Sequence, residues 1–190
     1  MTRKLPIVAT AVVLLAVATM IALGFWQLGR AQEKEALLAR YAAAGGASAL
    51  VDWPGQGEAA EQALYRRTRL ECARVVAIDQ VAGTAANGAK GWAQRATCVP
   101  AGGGAAVPVD LGWSRAPAPV AWGGGAAEGI VAPGPRLVAD PPLAGLAPLA
   151  RPDPNDLPNN HLSYAVQWFL FALTALVIYV LALRRRRSGA

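Results

Sequence analysis

The chain has 190 residues, 54% of them hydrophobic, with a formal net charge of +6, one His and two Cys. That length holds one modest domain, or a small domain with membrane segments. Six of the eighteen basic residues sit at the tips, as Arg3, Lys4 and Arg184 to Arg187, so residues 5–183 carry twelve basic and twelve acidic side chains. With no basic patch on the neutral middle, a nucleic-acid binder is excluded.

From Leu5 to Gly29 there is no charged residue. At about 1.5 Å per residue this run is long enough to cross a hydrocarbon core of roughly 30 Å. A cleaved signal peptide has a shorter apolar region and a small-x-small site, whereas this run ends in the bulky Gly24-Phe25-Trp26-Gln27-Leu28-Gly29. A transmembrane helix over 5–29 is expected. It should continue as helix from Arg30 to Tyr41, where Glu33, Lys34, Leu37, Leu38 and Tyr41 fall at helical spacing, until Gly45, Gly46 and Trp53-Pro54-Gly55 break it.

The pattern then turns to period two. Thr68, Leu70 and Cys72 alternate with Arg67, Arg69 and Glu71 in a strand expected around 67–76, and a second is expected over 92–99. The cleanest alternation is 107–113, with Val107, Val109, Leu111 and Trp113 on one face and Pro108, Asp110 and Gly112 on the other; Gly102 to Gly104 form the hairpin loop before it. Twelve of the fourteen prolines lie between Pro100 and Pro158, so 116–160 should be mostly turns and extended chain, with one weak strand near 129–138. From Leu162 to Leu183 the chain is again uncharged, and a second span is expected.

Cytoplasmic flanks carry the Lys/Arg excess, so the tips at 1–4 and 184–190 should be inside and 30–160 outside. Arg184 to Arg187 would also lie against anionic lipid, at about 1 kcal/mol per cation. Tips of four and seven residues are expected to be too short for a cytoplasmic output module. The fold class is thus a membrane protein of α+β type: two antiparallel transmembrane helices, 5–29 and 162–183, flanking a small β-rich extracytoplasmic domain, 30–160, Gly/Pro-rich from about residue 100. No long Arg/Ser-rich segment precedes the first span, which points to a bacterial inner membrane rather than a mitochondrial one.

Catalytic chemistry is scarce, and the chain reads as a non-enzyme. Gly112-Trp113-Ser114-Arg115-Ala116 is the nearest approach to a nucleophile elbow and lacks its last glycine. There is no phosphate loop, no HExxH and no CxxC, and one His with two Cys does not make a zinc site. Cys72 and Cys98 fall on neighbouring predicted strands. They read as a disulfide closing a loop of about 25 residues, worth roughly 3 kcal/mol, with two buried free thiols, or copper or redox chemistry, as alternatives.

Polar residues at the ends of the spans are more informative. Gly24, Trp26, Gln27, Arg30 and Lys34 close the first, and Asn159, Asn160, His161, Tyr164, Gln167 and Trp168 open the second. Antiparallel helices bring the two sets level. An interfacial aromatic belt accounts for Trp26, Tyr164 and Trp168 but leaves Gln27, Gln167 and His161 over, and polar groups at membrane depth suggest a use. His161, Tyr164 or Ala165, Trp168 and Ala172 share one helix face. Small residues there would admit a flat ring while imidazole offers a nitrogen to haem iron, with Arg30 and Lys34 opposite for propionates. An interfacial packed His, or a proton or ion path, are the other readings.

The segments Leu23-Gly24-Phe25-Trp26-Gln27-Leu28-Gly29-Arg30, with Lys34 following, and Asn159-Asn160-His161-Leu162-Ser163-Tyr164-Ala165-Val166-Gln167-Trp168-Phe169 closely resemble the two membrane signatures of the Surfeit-locus (Surf/Shy) family. Tyr65 to Leu70 resembles its first strand, and Gly91-Trp92 through Pro117 its hairpin. Cys72 stands where a glycine is common, Leu111 where the family usually has Arg, and the stretch before Pro158 is shorter than usual. The resemblance implies an assembly factor for a haem-copper (cytochrome c) oxidase that assists haem a insertion into, or its retention by, the catalytic subunit. That subunit and haem a synthase would be its partners, and haem a a transient cofactor. Its candidate contacts are His161, as iron ligand, with Tyr164, Trp168, Gln27, Arg30 and Lys34. The rival reading is a cofactor-free, two-span interaction protein that stabilises an oxidase intermediate by packing.

Overall fold

The structure, a computed structural model, describes residues 6–47 and 49–188; the tip at 1–4 with Arg3 and Lys4, Leu5 at the start of the first expected span, residues 189–190, and the side chain of Arg187 lie outside the described residues. Two units make up the chain, one holding the terminal helical segments and the other Leu38–Leu157.

Helix α1 spans Ile7–Gly46, its residues up to Leu37 in the first unit and the rest in the second, and α3, in the first unit, spans His161–Ser188; both are long and apolar enough to cross a membrane. At 40 residues α1 is about 60 Å long, twice a hydrocarbon core, so its apolar half continues without a break into the charged one. It stops at Gly45 and Gly46, where backbone entropy disfavours further helix. The two helices run antiparallel. Thr10 bonds Tyr179 Oη at one end, and Asn159 Nδ2 donates to Ala31 O at 3.4 Å at the other. The covered positions alternate by three and four: Thr10, Val13, Val17, Met20, Gly24 and Gln27 on α1, against His161, Ala165, Trp168, Ala172, Ala175 and Tyr179 on α3. That is the spacing of a coiled-coil seam. Gly24 makes it close, because a Cβ there would stand 2.5 Å from the ring of Phe169.

The second unit is a small barrel. After β1 (Val51–Asp52) and the short α2 (Glu58–Gln62) come β2 (Arg67–Thr84), β3 (Lys90–Pro100), β4 (Val107–Ser114), β5 (Gly125–Ala132) and β6 (Arg136–Ala139). Strands β2, β3 and β4 form an antiparallel meander; β4 pairs β6 in parallel, β6 pairs β5 antiparallel, and β5 returns to β2. The ring is therefore closed, and it removes its own sheet edges, in the manner of the five-stranded Greek-key barrel of the OB-fold. One long strand serves both sides. Residues 67–72 of β2 pair β5, and from Cys72 onward they pair β3, with register shifts at Cys72/Arg74 and Val75/Ala77. The interior is filled by Leu70, Val107, Val109, Leu111, Ala127 and Leu137. Fully burying a side chain such as Leu111 contributes about 1.5–3 kcal/mol.

The structure departs from the sequence expectations in two places. The strand expected to end near 76 runs to Thr84, because the two bulges of β2 break the period of two after Cys72. The single weak strand near 129–138 is a hairpin, β5 and β6, turning at Pro133-Gly134-Pro135 with Gly134 at φ 93°. Both faces of β4 are covered: Asp110 and Gly112 on its second face are buried, and Leu146, Ala147 and Pro142 pack on Gly112. The segment responsible is clipped down by Leu143 N→Leu111 O at 2.7 Å and Trp113 N→Ala147 O at 2.7 Å. Tyr65 precedes β2 with φ 67°, its ring 5.0 Å from that of Tyr41 at the end of α1, and burial pushes its phenol pKa up.

Candidate functional site in the helix pair

His161 is the first residue of α3, and Pro158 with Asn159 and Asn160 keeps the helix from starting earlier; Asn160 O accepts from Tyr164 N at 3.2 Å. The imidazole is half-buried in the seam, its Nδ1 2.7 Å from Gln27 Oε1. An amide oxygen can only accept, so in this contact Nδ1 donates to Oε1. No other hydrogen bond to the ring is formed among the described residues. Two of the three polar groups left over by an aromatic belt, Gln27 and His161, thus satisfy each other. Gln167 stays exposed on α3.

The remaining candidates are placed unequally. Trp168 is half-buried beside the seam, with its ring 6.2 Å from Phe171; Tyr164 is exposed. Arg30 is exposed, bonded to Glu33 Oε2 at 2.7 Å and lying 5.8 Å over the Trp26 ring, while Lys34 is half-buried one turn on. Ala165 and Ala172, 0% and 4% exposed, are consumed by the helix–helix contact.

In the barrel unit, Cys72 and Cys98 are joined by a disulfide with Cα atoms 5.7 Å apart. Ser114 Oγ donates to Ala116 O at 3.0 Å and accepts from Gln94 Nε2 at 2.9 Å, so both of its roles are structural. Among the described residues no three His, Cys, Asp or Glu side chains gather into a metal site. One cluster escaped the sequence reading: Asp110 on β4 accepts from Arg95 Nε at 2.6 Å, Arg95 Nη2 at 3.1 Å and Arg136 Nε at 2.9 Å. The hydrogen bond with Asp110 raises the Arg95 pKa, against the opposing effect of burial. A signal for half of it existed, since an Arg and an Asp on facing strands of a predicted hairpin pair across it.

Two apolar helices whose seam carries polar pairs at its ends, on either side of a six-stranded mixed-sheet domain in sequence, define a two-span membrane protein with a β-rich domain. A model of the SURF1 family matches residues 14–142 and 121–173, and the chain belongs to that family. Its members are oxidase assembly factors, and the resemblance carried by residues 23–30 and 159–169 points the same way. Comparison with curated proteins and with solved structures gave no match.

Proposed function

We propose that this protein assists the insertion or retention of haem a in the catalytic subunit of a haem-copper oxidase, through His161. The observation that carries the reading is the Gln27–His161 bond: it engages Nδ1 and orients the ring, while Nε2 has no hydrogen bond among the described residues. A ligating His is held in this way by an acceptor on its other nitrogen. His161 would hold haem a through its imidazole, and the group would supply an iron that such a nitrogen can ligate. The donor set fits, with limits. The ring cannot lie along Ala165 and Ala172, which α1 covers, so any contact is made at the open end of the seam. Tyr164 and Trp168 would supply ring contacts there, and Lys34 and Arg30, the latter released from Glu33, would pair with propionates.

The test is a haem spectrum of the purified protein expressed alongside haem a synthesis. His161→Ala and His161→Leu should abolish the Soret band and leave membrane insertion intact, because the apolar run from Leu162 is untouched. His161→Met should keep a weaker, shifted band. Full pigment and normal oxidase levels in the Ala and Leu variants would transfer the function to the second reading, a cofactor-free packing protein. The closed contact of Gly24 with Phe169 favours that reading.

The proposed location is a bacterial inner membrane, with both termini cytoplasmic and the barrel periplasmic. Residues 38–157 hold ten basic and ten acidic side chains, whereas Arg184 to Arg186 cluster beyond the apolar part of α3, as the positive-inside rule requires of a cytoplasmic flank. Alkaline phosphatase fused after residue 115 should be active, and after residue 187 inactive. The reverse pattern would place the barrel in the cytoplasm.

A further inference from the structure

Asp110 is 3% exposed and is met by two guanidinium groups. One is enough to neutralise a carboxylate; the second leaves the triad with a net charge of +1. Both guanidinium side chains are 31% exposed, so this surplus sits at the barrel surface, within reach of a ligand from solvent. Arg95 spends Nε and Nη2 on Asp110, while Arg136 spends Nε on Asp110 and Nη1 on Pro133 O. Nη1 of Arg95 and Nη2 of Arg136 have no hydrogen bond among the described residues. Both forks are thereby fixed in orientation with donors to spare, and ordering such a long side chain in advance removes an entropic cost of binding.

The triad lies at one side of a cleft of about 650 Å³ on the barrel. Cavities of about 300–1,000 Å³ suit small molecules. The Lys90 ammonium adds charge on this side, held by Thr84 Oγ1 at 3.0 Å. Small or apolar residues, among them Gly83, Ala93 and Leu149, line much of the rest. The wall carrying Leu149 is fixed by Ala86 N→Pro148 O and Ala150 N→Thr84 O, both 2.9 Å. Arg151 is engaged with Asp140 at 2.7 Å, and Asp156 brings a negative charge to the lining that opposes a second one on any ligand.

We propose that this cleft binds an amphiphilic monoanion, a molecule with a compact apolar body and a single carboxylate, the carboxylate being taken by Arg95 and Arg136. The triad's surplus of one positive charge matches one carboxylate, and the small-residue lining matches the body.

The experiment is a fluorine NMR titration of the full chain in nanodiscs of zwitterionic lipid, with empty nanodiscs as blank. The probes are 4-fluorobenzoate and its neutral counterpart 4-fluorobenzyl alcohol, with inorganic phosphate read by its displacement of 4-fluorobenzoate. Benzoate should bind saturably, at least tenfold more tightly than either of the others. Arg136→Gln should weaken it tenfold or more. Lys90→Gln removes an exposed cation whose one hydrogen bond is to a hydroxyl, so it should leave the unfolding midpoint unchanged and weaken benzoate two- to threefold. That variant keeps the proposal testable if Arg136→Gln does not fold. Equal binding of benzoate and the alcohol would overturn the proposal, as would benzoate affinity unchanged in Lys90→Gln or in a folded Arg136→Gln.

Discussion

Asp110→Ala is expected to destabilise the barrel by about 3 kcal/mol, the lower end of the 3–5 kcal/mol found when one partner of a buried ion pair is removed. The loss comes from what is left behind. Arg95 and Arg136, each with 31% of the side chain exposed, would face one another across the vacated carboxylate with no counter-charge. Partial access to water keeps the cost from the top of the range. Asp110→Asn retains an acceptor without the charge and should cost less, about 1–2 kcal/mol. Replacing all three together, as Arg95→Met, Asp110→Leu and Arg136→Met, should cost less than Asp110→Ala alone, because no charge is then orphaned. Urea unfolding followed by tryptophan fluorescence measures each. An Asp110→Ala variant within 0.5 kcal/mol of the parent would mean that the triad does not hold β3, β4 and β6 together.

What made this triad hard to read is the pairing of β4 with β6. Val109↔Leu137 and Asp110↔Val138 form a parallel contact across a long crossover, and no local pattern announces it. Arg95 and Asp110 belong instead to a hairpin whose two strands and loop are legible, so their partnership follows once the register is set, shifted by the bulge after Gln94. Burial of Asp110 was hidden for a different reason. Alternation groups Val107, Val109 and Leu111 on one face, which the structure buries in the core, but the covering of the opposite face comes from residues 142–147, a proline-containing segment with no periodicity of its own.

The helix pair was far more legible, because its organisation is periodic and its polar groups are few. Antiparallel spans of known ends bring Gln27 level with His161, and the 2.7 Å contact realises that juxtaposition. The seam's depth was not legible. Ala165 and Ala172 read equally well as room for a flat ring or as room for another helix, and only the position of Gly24 under Phe169 shows that α1 takes the space. The OB-like closure likewise depends on β2 changing partners at Cys72, and a strand that bends through two bulges loses the alternation by which strands are recognised.

Replacing both cysteines, as Cys72→Ala with Cys98→Ala, should destabilise the barrel by roughly 3 kcal/mol, which for a unit of this size lowers the melting temperature by about 10 °C. The bridge closes a loop across a sequence separation of 26, and restricting that loop in the unfolded chain accounts for the figure on the chain-entropy model. Its position adds a local argument. Cys72 is the residue at which β2 passes from Gly125 on β5 to Pro100 on β3, and Cys98 faces Val75 just beyond the first register shift. The bridge therefore pins the corner on which barrel closure depends, between two side chains 3% and 0% exposed. Reductant should mimic the double replacement, lowering the parent's midpoint to that of the variant and leaving the variant unchanged. Alkylation of the unfolded parent without reductant should label neither cysteine. If the double variant and the oxidised parent melt together, the corner is held by packing of Leu70, Ala96 and Val107 alone, and the bridge contributes no stability.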